Sequence, residues 1–408
     1  MNYLLDKIKN KKSKVLIIGL GYVGWPLYCT IKKKGFNVMG LDTNRMLVQN
    51  YKKKAKNLFY LYKDINFKEI DVIIIALPTP LKNKRPDLSY LKKTINLILN
   101  KLKKNTLLIL ESTSYPSTTE EIITSKVKKK FKVGEDFFIG YSPEREDPGN
   151  KRYNLKNIPK IISGETKNCK KLVQKFYSLV CNKVVEASTI QVAEMTKLYE
   201  NIFRVINISL SNETKEICKK INIDFNEVLK LASTKPFGFM PFEPGPGAGG
   251  HCIPVDPFYF NWYLKKKKIS SSFINIAGKI NIEMPKKIFN QIKKYIKLKN
   301  FHKKEKILFC GLTYKKNIKD LRNSPSLEIF NLFKKERYNV DFNDNFLNKI
   351  VLGKKIIRSK NIKLIKKYKL IVLSTNHDYY KKIRFGKNQV IFDLRNFIFK
   401  KSQNIIKL

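Results

Sequence analysis

The sequence is poor in the residues that build structural metal sites. It has only three histidines, and its six cysteines are scattered along the chain with no C-x-x-C pair. Structural zinc sites use closely spaced cysteine and histidine ligands, so we expect no metal. The scattered cysteines, with no signal peptide before them, favour free thiols in a reducing compartment and predict a cytoplasmic protein.

Long apolar runs are also missing. The run that begins at Val15 is interrupted by glycine, and no run reaches the length that a membrane-spanning helix needs. We therefore expect no membrane partner. A hydrophobic content of 43% and an aromatic content of 12% nevertheless exclude a disordered chain. The 408 residues leave room for two or three domains.

Acidic residues are few: 33 stand against 83 lysines and arginines, which gives a formal net charge of +50. Such a charge is compatible with binding to nucleic acid, an anionic membrane or an anionic small molecule. The lysines, however, occur in short runs throughout the chain, which indicates a compositional bias and a solvated surface. No basic and aromatic recognition module accompanies the charge, so we expect no nucleic acid partner.

Short apolar runs alternate with helical stretches in two parts of the chain. Such alternation predicts parallel sheets with crossover helices. The first series comprises runs near Val15, Asn37–Leu41, Val72–Leu77, Thr106–Leu110, Phe137–Tyr141, Ile161–Ile162 and Val184–Val185, and the second comprises KILFCGL, YNVDFND, YKLIVLST and QVIFDLRN. The fold class that we predict is α/β, with two doubly wound Rossmann-like domains joined by a long central helix and a helical dimerisation region.

The region between the two series is helical in its periodicity. From Thr189 to about Ala232 the apolar residues recur at helical spacing, and a second helical stretch covers Ser271–Leu298. We therefore predict three domains, at residues 1–190, 191–299 and 300–408.

A glycine-rich turn follows the first apolar run and opens a helix. In Gly19-x-Gly21-x-x-Gly24, the first glycine permits a tight turn, the second lets the backbone approach a pyrophosphate, and the third lets helix and strand pack closely. Asp42 ends the next run and would accept a hydrogen bond from a ribose 2′-hydroxyl, which favours NAD over NADP. The alternative is a glycine turn with a purely structural role.

One segment contains no lysine or arginine, although these residues make up about one fifth of the chain. It extends from Pro236 to Leu264 and contains GPGAGGHCIPVDP, with Cys252 behind a glycine-rich turn and Asp256 shortly after it. An ionised cysteine is a soft nucleophile, and the glycines suit a backbone that wraps around a ligand. A loop around a reactive sulfur has few free surface positions, which explains the missing lysines. The alternative is a buried cysteine in a proline-rich turn.

Other polar residues stand where ligands could reach them. Glu194, Lys197 and Asn201 share one helix face, which is either part of a site or a solvated face with a salt bridge. Ligands of open parallel sheets bind at the carboxyl ends of the strands. Three polar stretches follow predicted strands in this way: Pro78-Thr79-Pro80, Glu111-Ser112-Thr113 and Ser142-Pro143-Glu144-Arg145.

In combination, these motifs resemble the UDP-glucose/GDP-mannose dehydrogenase family over nearly the whole chain. GLGYVG, PTPL, EST, SPER, EMTKLYEN, GPGAGGHCIPVDP and GLTYKKNIKDLRNSP occur here in the order that UDP-sugar 6-dehydrogenases carry them. The stretch TKPFGFMPFEPGPGAGGHCIPVDPFY is most similar to the branch that oxidises UDP-N-acetylglucosamine. The resemblance implies an NAD-dependent, four-electron oxidation of the sugar C6 alcohol to a carboxylate, for surface polysaccharide precursors. It also implies an NAD-binding first domain, a central domain with the cysteine loop, a UDP-binding third domain, and a homodimer or larger homo-oligomer.

The resemblance also assigns roles, motif by motif. Cys252 would be the nucleophile that forms a thiohemiacetal and then a thioester, Lys197 would stabilise the oxyanion, and Asn201 would help to hold it. Asp256 would assist water or proton transfer, and Thr113 and Glu144 would lie at the nicotinamide and the sugar. The cofactor-binding positions would be Gly19, Gly21, Tyr22, Val23, Gly24, Asp42, Pro78, Thr79, Thr113 and Arg322. The substrate-binding positions would be Glu144, Arg145, Lys197, Asn201, Gly247, Gly249, Gly250, Tyr259, Tyr314, Lys315 and Arg395.

Several alternatives remain open from the sequence. The substrate could be UDP-glucose or UDP-N-acetylmannosamine. A two-electron hydroxyacid dehydrogenase would have a similar layout but would need neither Cys252 nor a nucleotide-binding second sheet. An inactive relative is disfavoured because every motif residue that the chemistry needs is present.

Overall fold

The computed structural model describes residues 1–83, 85–147, 149–150, 152–153, 155, 157–250, 253–398 and 404–407. The chain divides into two compact units. The first consists of Met1–Glu200 with Trp262–Ile269, and the second of Asn201–Asn261 with Ser270–Leu408. The finer division into three domains stays a prediction.

The first unit is built on an eight-stranded sheet whose central strands are buried on both faces, as expected for a sheet covered by helices. Its strands and hairpin are β1 Lys14–Ile18, β2 Asn37–Leu41, β3 Leu58–Phe59, β4 Val72–Ile75, β5 Leu81–Lys82, β6 Arg85–Pro86, β7 Thr106–Leu110, β8 Phe137–Tyr141, β9 Lys160–Gly164 and β10 Val184–Glu186. Its helices are α1 Asn2–Lys9, α2 Gly24–Lys33, α3 Arg45–Lys52, α4 Ser89–Ile98, α5 Ser125–Val127 and α6 Lys167–Val180, with a π-helical turn at Glu120–Thr124.

The strand order is β10-β9-β8-β7-β4-β1-β2-β3. It reverses between β1 and β4, because the chain builds outwards from β1 through β3 before it crosses to the other side. Neighbouring strands run parallel, as predicted, except β8 and β9, which are antiparallel. A parallel neighbour requires a crossover connection, and the described residues between β8 and β9 form no helix.

The region after β10 is helical, as predicted. Its helices are α7 Ile190–Lys220, α8 Phe225–Ala232, α9 Asp256–Lys266 and α10 Ser272–Leu298. The helical stretch predicted as far as Ala232 is therefore interrupted between α7 and α8, where Asn222 adopts φ of +60° and ends the regular backbone. No described helix has both the length and the apolar character needed to cross a bilayer.

The second unit contains a five-stranded parallel sheet in the order β12-β11-β15-β16-β17. Its elements are β11 Ile307–Cys310, α11 Pro325–Lys335, β12 Val340–Asn343, β13 Lys349–Leu352, β14 Lys355–Arg358, β15 Leu370–Leu373, β16 Val390–Asp393 and β17 Ile405–Lys407. Strands β13 and β14 form an antiparallel hairpin that the sequence did not indicate. The predicted α/β class with two Rossmann-like sheets and a helical middle is confirmed.

Candidate active site

The turn after β1 lies where the strand order of the first sheet reverses, the usual ligand crevice of open α/β sheets. Gly19 has φ of +94°, and a Cβ atom there would lie 2.5 Å from the carbonyl oxygen of Ala76. A Cβ atom at Gly24 would lie 1.8 Å from the carbonyl oxygen of Gly19. At Gly21 it would meet no described atom within 4 Å. The fold therefore requires Gly19 and Gly24, whereas Gly21 leaves open space beside the turn.

Asp42 braces the same turn from the end of β2. Its Oδ2 accepts a hydrogen bond from the backbone N–H of Leu20 at 2.8 Å, and its Oδ1 accepts one from Asn44 at 2.8 Å. Tyr22 is 56% exposed, and half-buried Val23 is the residue before α2. Space for a pyrophosphate at a helix N-terminus and a fixed carboxylate for a ribose are together what a dinucleotide requires.

The loops after β4 and β7 are tied to each other. The Thr79 hydroxyl donates to the carbonyl oxygen of Thr113 at 2.9 Å, and the Ser112 hydroxyl donates to the carbonyl oxygen of Leu77 at 2.8 Å. Thr79 is buried, Thr113 is half-buried and Pro78 is exposed. The two loops thus form one braced edge at the carboxyl ends of neighbouring strands, with Thr113 and Pro78 on it.

A buried cluster of charges lies beneath the SPER stretch. The Lys160 ammonium donates to Glu111 Oε2 and to Glu144 Oε2, at 3.1 Å in each case. The Tyr177 hydroxyl donates to the other oxygen of Glu111. Burial disfavours the ionised form of Glu144, but Lys160 and backbone N–H groups outweigh it and lower the pKa of this carboxyl group. Burial raises the pKa of Glu111, with Lys160 offsetting part of the effect.

Arg145, the neighbour of Glu144, is engaged within the first unit. Its guanidinium group donates to both carboxylate oxygens of Glu200, at 3.2 Å and 2.5 Å, and to the carbonyl oxygen of Pro159 at 2.9 Å. This two-point geometry is the strong form of an arginine–carboxylate pair. It ties the SPER loop to α7, and a substrate contact of Arg145 stays a prediction.

Glu194 and Lys197 lie on the same face of α7 and differ in their surroundings. Glu194 is fully buried and accepts hydrogen bonds from the Ser117 backbone N–H at 2.7 Å and from the backbone N–H and hydroxyl of Thr119 at 2.9 and 2.7 Å. Ser117 has φ of +77°, a strained value for a residue with a side chain. Glu194 therefore holds a strained loop in place, and burial raises its pKa to about 7. Lys197 is half-buried.

In the second unit, the structure brings Asn201 and Asp256 together. The Asn201 amide donates to Asp256 Oδ2 at 2.5 Å, and Asp256 is 1% exposed at the first position of α9. Tyr259, one turn further along, is also 1% exposed. Cys252 lies outside the described residues.

The glycines before Cys252 have a packing role in the second unit. Cβ atoms at Gly249 and Gly250 would lie 2.6 and 2.9 Å from the side chain of Tyr314. Gly247 has φ of +111°, and a Cβ atom there would lie 3.0 Å from the carbonyl oxygen of Asn281. The missing side chains thus make room for the protein itself, so the expected wrapping around a ligand is not needed to explain these glycines.

The loop after β11 carries three predicted residues of the second unit, Tyr314, Lys315 and Arg322, and Arg395 follows β16. A backbone hydrogen bond from Gly250 to the carbonyl oxygen of Arg322, at 3.0 Å, joins the glycine segment to this loop, and Arg322 itself forms a two-point ion pair with Asp320. Tyr314 and Lys315 are half-buried on it. Arg395 lies close to Gly245, and burial lowers its pKa to about 10, with Glu243 offsetting part of the effect.

A buried pair that we did not predict, Asp344 and His377, shapes this loop. Asp344 Oδ2 accepts from the backbone N–H of Leu312 at 2.8 Å and lies 3.3 Å from His377 Nε2. His377 Nδ1 accepts from the backbone N–H of Asn317 at 2.9 Å, so its Nε2 carries the proton. His377 follows β15, and the strand-end rule that selected other stretches could have found it. Lys160 gave no such signal, because a single buried lysine is inconspicuous among so many exposed ones.

Three family models together match most of the chain. They describe the UDP-glucose/GDP-mannose dehydrogenase family: its NAD binding domain at residues 13–181, its central domain at 191–283 and its UDP binding domain at 308–400.

Individual proteins match over similar lengths. Protein CapL of Staphylococcus aureus is 37% identical, with 86% of this chain and 87% of that protein covered. UDP-N-acetyl-D-glucosamine 6-dehydrogenase of Pseudomonas aeruginosa is 35% identical, with 83% and 84% covered. The solved structure of a UDP-D-ManNAc dehydrogenase from Pyrococcus horikoshii superimposes with a TM-score of 0.87 at 27% identity, with 96% and 98% covered.

Proposed function

This chain belongs to the UDP-glucose/GDP-mannose dehydrogenase family and is an NAD-dependent oxidoreductase of a UDP-sugar; we propose that its substrate is UDP-N-acetylglucosamine. The reaction that we propose is a four-electron oxidation of the C6 alcohol to the uronate, which would serve surface polysaccharide synthesis. It proceeds through a covalent intermediate on Cys252.

The first unit fits NAD. The open space at Gly21 can admit a pyrophosphate to the backbone, and Asp42 is held where a ribose hydroxyl can donate to it. Pro78, Thr79 and Thr113 form the adjoining edge of the crevice. Bound NAD supplies the two-electron acceptor for each of the two oxidations.

The chemistry at C6 requires a nucleophile. The alcohol first loses a hydride and a proton and becomes an aldehyde, to which the Cys252 thiolate adds to form a thiohemiacetal. Loss of a second hydride gives a thioester, and water then releases the carboxylate and restores the thiol. Lys197 would stabilise the oxyanion in these steps, since a cation beside a developing negative charge lowers the barrier.

The buried Asn201–Asp256 hydrogen bond is the observation that carries this proposal. It fixes a carboxylate four residues after Cys252 in the sequence, with Asn201 on the helix that also carries Lys197. Asp256 can then accept a proton from the attacking water, and Asn201 keeps the carboxylate oriented. A hydroxyacid dehydrogenase would not need an oriented carboxylate four residues after a cysteine in the sequence.

The remaining predicted residues would bind substrate around this centre. In the first unit, Glu144 and Thr113 would contact the sugar and the nicotinamide, and Arg145 would contact the substrate. In the second unit, Tyr259 would contact the substrate. The uridine diphosphate would be bound by the second unit through Gly247, Gly249, Gly250, Tyr314, Lys315 and Arg395. Arg322 would reach the cofactor.

The choice of UDP-N-acetylglucosamine rests on the GPGAGGHCIPVDP region and on the relatives that are named for this sugar. The Pseudomonas relative is named for UDP-N-acetylglucosamine and the Pyrococcus structure for UDP-ManNAc. We test the choice by incubating the protein with NAD and, separately, UDP-N-acetylglucosamine, UDP-N-acetylmannosamine and UDP-glucose. We expect the fastest turnover with UDP-N-acetylglucosamine, and the formation of two NADH for each sugar oxidised. One NADH per sugar would refute the four-electron reaction, and faster turnover of another sugar would reassign the substrate.

Cys252→Ser provides the matching variant. A serine hydroxyl is a far weaker nucleophile than a thiolate at neutral pH, so we expect carboxylate formation to fall at least about 1,000-fold. The affinity for NAD should remain unchanged, because Cys252 lies outside the glycine turn. Unchanged carboxylate formation would exclude the thioester route.

We also propose a homodimer formed through α7. Phe203, Leu210 and Ile217 recur at a spacing of seven residues and are 41%, 58% and 51% exposed. Such a stripe along one helix face fits the same stripe of a second copy. The cytoplasmic location stays a proposal, which rests on the free thiols.

A further inference from the structure

The buried cluster around Lys160 is unusual for its charge. The side chain of Lys160 is 3% exposed, and those of Glu111 and Glu144 are 0% and 12% exposed. Removing a charged group from water costs several kcal/mol, and an apolar set of the same volume is often at least as stable. Stability alone therefore does not account for two carboxylates that share one ammonium group.

The cluster leads from the interior to a single predicted site residue. Tyr177 donates to Glu111, Glu111 accepts from Lys160, and Lys160 donates to Glu144. Of these groups only Glu144 belongs to the SPER loop at the carboxyl edge of the sheet. The order of contacts indicates that the interior groups are arranged to support Glu144.

We propose that Lys160 is a positioning residue, which holds the Glu144 carboxylate ionised and correctly oriented for the reaction. Its own position is fixed in turn by Glu111 and Tyr177. The inference rests on the proposed role of Glu144 at the sugar and nicotinamide, and it adds the reason why this buried carboxylate stays charged.

The hydrogen bonds of Glu144 define its orientation. Its Oε1 accepts from the backbone N–H groups of Arg145 and Glu146, at 2.6 and 2.7 Å, and its Oε2 accepts from Lys160. A carboxylate can accept about four hydrogen bonds, so Oε2 retains one acceptor position. With its side chain 12% exposed, Glu144 can present that position to a water molecule or a sugar hydroxyl.

Two further glutamates and two groups that are neutral at pH 7 surround Glu144 and Lys160. Glu111 faces Glu144 from the end of β7 and Glu146 from its own loop, while Tyr177 of α6 and Cys181, the residue after α6, face the cluster. The guanidinium group of Arg145 is also close by in the sequence, but it donates to Glu200 and to the carbonyl oxygen of Pro159. Among the described residues, Lys160 is thus the cation whose side chain donates to this carboxylate. Without it, burial and both glutamates would favour the protonated form of Glu144, which cannot accept a proton.

Lys160→Gln tests the inference, since the amide can still donate a hydrogen bond but carries no charge. We expect kcat at pH 7 to fall about 10- to 100-fold, which is less than the about 100- to 10,000-fold that the acid or base itself contributes, because Lys160 acts only through Glu144. KM for the preferred UDP-sugar and the affinity for NAD should change less than about threefold. The kcat profile should gain an acidic limb, with activity recovering as pH rises and Glu144 ionises. Lys160→Arg should restore most of the activity and remove the limb.

Lys103→Gln is the matched control. Lys103 pairs with buried Asp71 at 3.0 Å in the same unit, and Asp71 precedes β4 at the opposite edge of the sheet. Like Lys160→Gln, this control removes a lysine charge that is paired with a buried carboxylate, but it leaves Lys160, Glu111 and Glu144 unchanged. We expect the wild-type pH profile from it.

Glu144→Gln separates failure of this inference from failure of the proposed function. If that variant keeps full turnover, the role proposed for Glu144 is wrong. If it is inactive while Lys160→Gln keeps the wild-type pH profile, Lys160 does not act through Glu144 and the inference is overturned. Should Lys160→Gln not fold, Lys160→Gln combined with Glu111→Gln removes one charge of each sign. The same acidic limb is then expected, and its absence overturns the inference.

Discussion

Replacing Gly21 by alanine should separate cofactor binding from folding. No described atom lies within 4 Å of the position that the new methyl group would take, and the backbone there does not adopt a left-handed conformation. The unliganded fold can therefore accept alanine. Because alanine restricts the unfolded chain more than glycine, the change should leave the free energy of unfolding equal or raise it by about 0.4–1 kcal/mol.

The affinity for NAD should fall in the same variant. If the pyrophosphate approaches the backbone at Gly21, the methyl group occupies its van der Waals space. Overpacking by one methyl group typically costs about 1–3 kcal/mol, and about 1.4 kcal/mol corresponds to a tenfold change in affinity. We therefore expect the dissociation constant of NAD to rise about 5- to 150-fold.

Gly24→Ala is the contrasting variant. Its methyl group would lie 1.8 Å from the carbonyl oxygen of Gly19, a backbone atom that cannot turn away. We expect this variant to lose thermal stability and NAD binding together.

Thermal denaturation without ligand and calorimetric titration with NAD measure the two effects. If Gly21→Ala binds NAD as tightly as the wild type, the space at Gly21 is not where the cofactor lies. If it instead unfolds at a clearly lower temperature, the glycine is structural, and the inference from the empty space is wrong.

Two further predictions concern helix α7. The pKa of Glu194 is raised by burial from 4.5 to about 7, so the folded chain retains a proton that the unfolded chain has released between these pH values. The free energy of unfolding should therefore decrease as pH rises through this window, by about 3 kcal/mol. Urea denaturation at pH 5 and pH 8 measures this decrease, which should be smaller in Glu194→Gln than in the wild type. An equal decrease in both proteins would contradict the assignment to Glu194. Leu210→Glu introduces a charge into the exposed apolar stripe and should convert the proposed dimer to a monomer in sedimentation experiments, whereas a monomeric wild type would exclude this interface.

Most strands of both sheets were predictable because they are continuous apolar runs between turn residues. Strands β3 and β17 were not predicted, because they contain only two and three residues. The antiparallel direction of β9 was not predictable from its own residues. It depends on the path of the chain that connects β8 to β9. The segment 49–68 combines the end of α3, the two-residue β3 and two short 3₁₀ turns, each too short to show a period. The hairpin of β13 and β14 was also hidden, because its strands carry exposed lysines and arginine rather than a buried run.

The site was predictable where its chemistry depends on rare residue types at fixed spacing. The glycine turn and Asp42 belong to this group, and the structure brings them together within the first unit. The hydrogen bond between Asn201 and Asp256 was not predicted, because 55 positions separate the two residues. The role proposed for Lys160 was not predictable, because it depends on the burial of this side chain. The sequence does not indicate which one of 83 basic residues is buried. The explanation given for the missing lysines fails at residues 236–241, because these positions are exposed. Gly249 and Gly250 exclude side chains because Tyr314 occupies their space.

The turn after β1 in the first sheet and the turn after β11 in the second are held by the same kinds of hydrogen bond. Gly19 follows β1 and Gly311 follows β11, with positive φ of +94° and +84°, and each donates its N–H to the end of the neighbouring strand. The next N–H is bound by a carboxylate that follows this neighbour, Asp42 in the first unit and Asp344 in the second, each at 2.8 Å.

The two carboxylates differ in what else they can reach. Asp42 is half-buried and can accept a ribose hydroxyl, whereas Asp344 is 2% exposed and also interacts with His377. Asp344 can therefore only shape its loop, and any nucleotide there must be bound by side chains that the loop presents, such as Tyr314 and Lys315. From this difference we infer that the first sheet recognises its nucleotide mainly through backbone and a ribose acceptor, and the second through side chains.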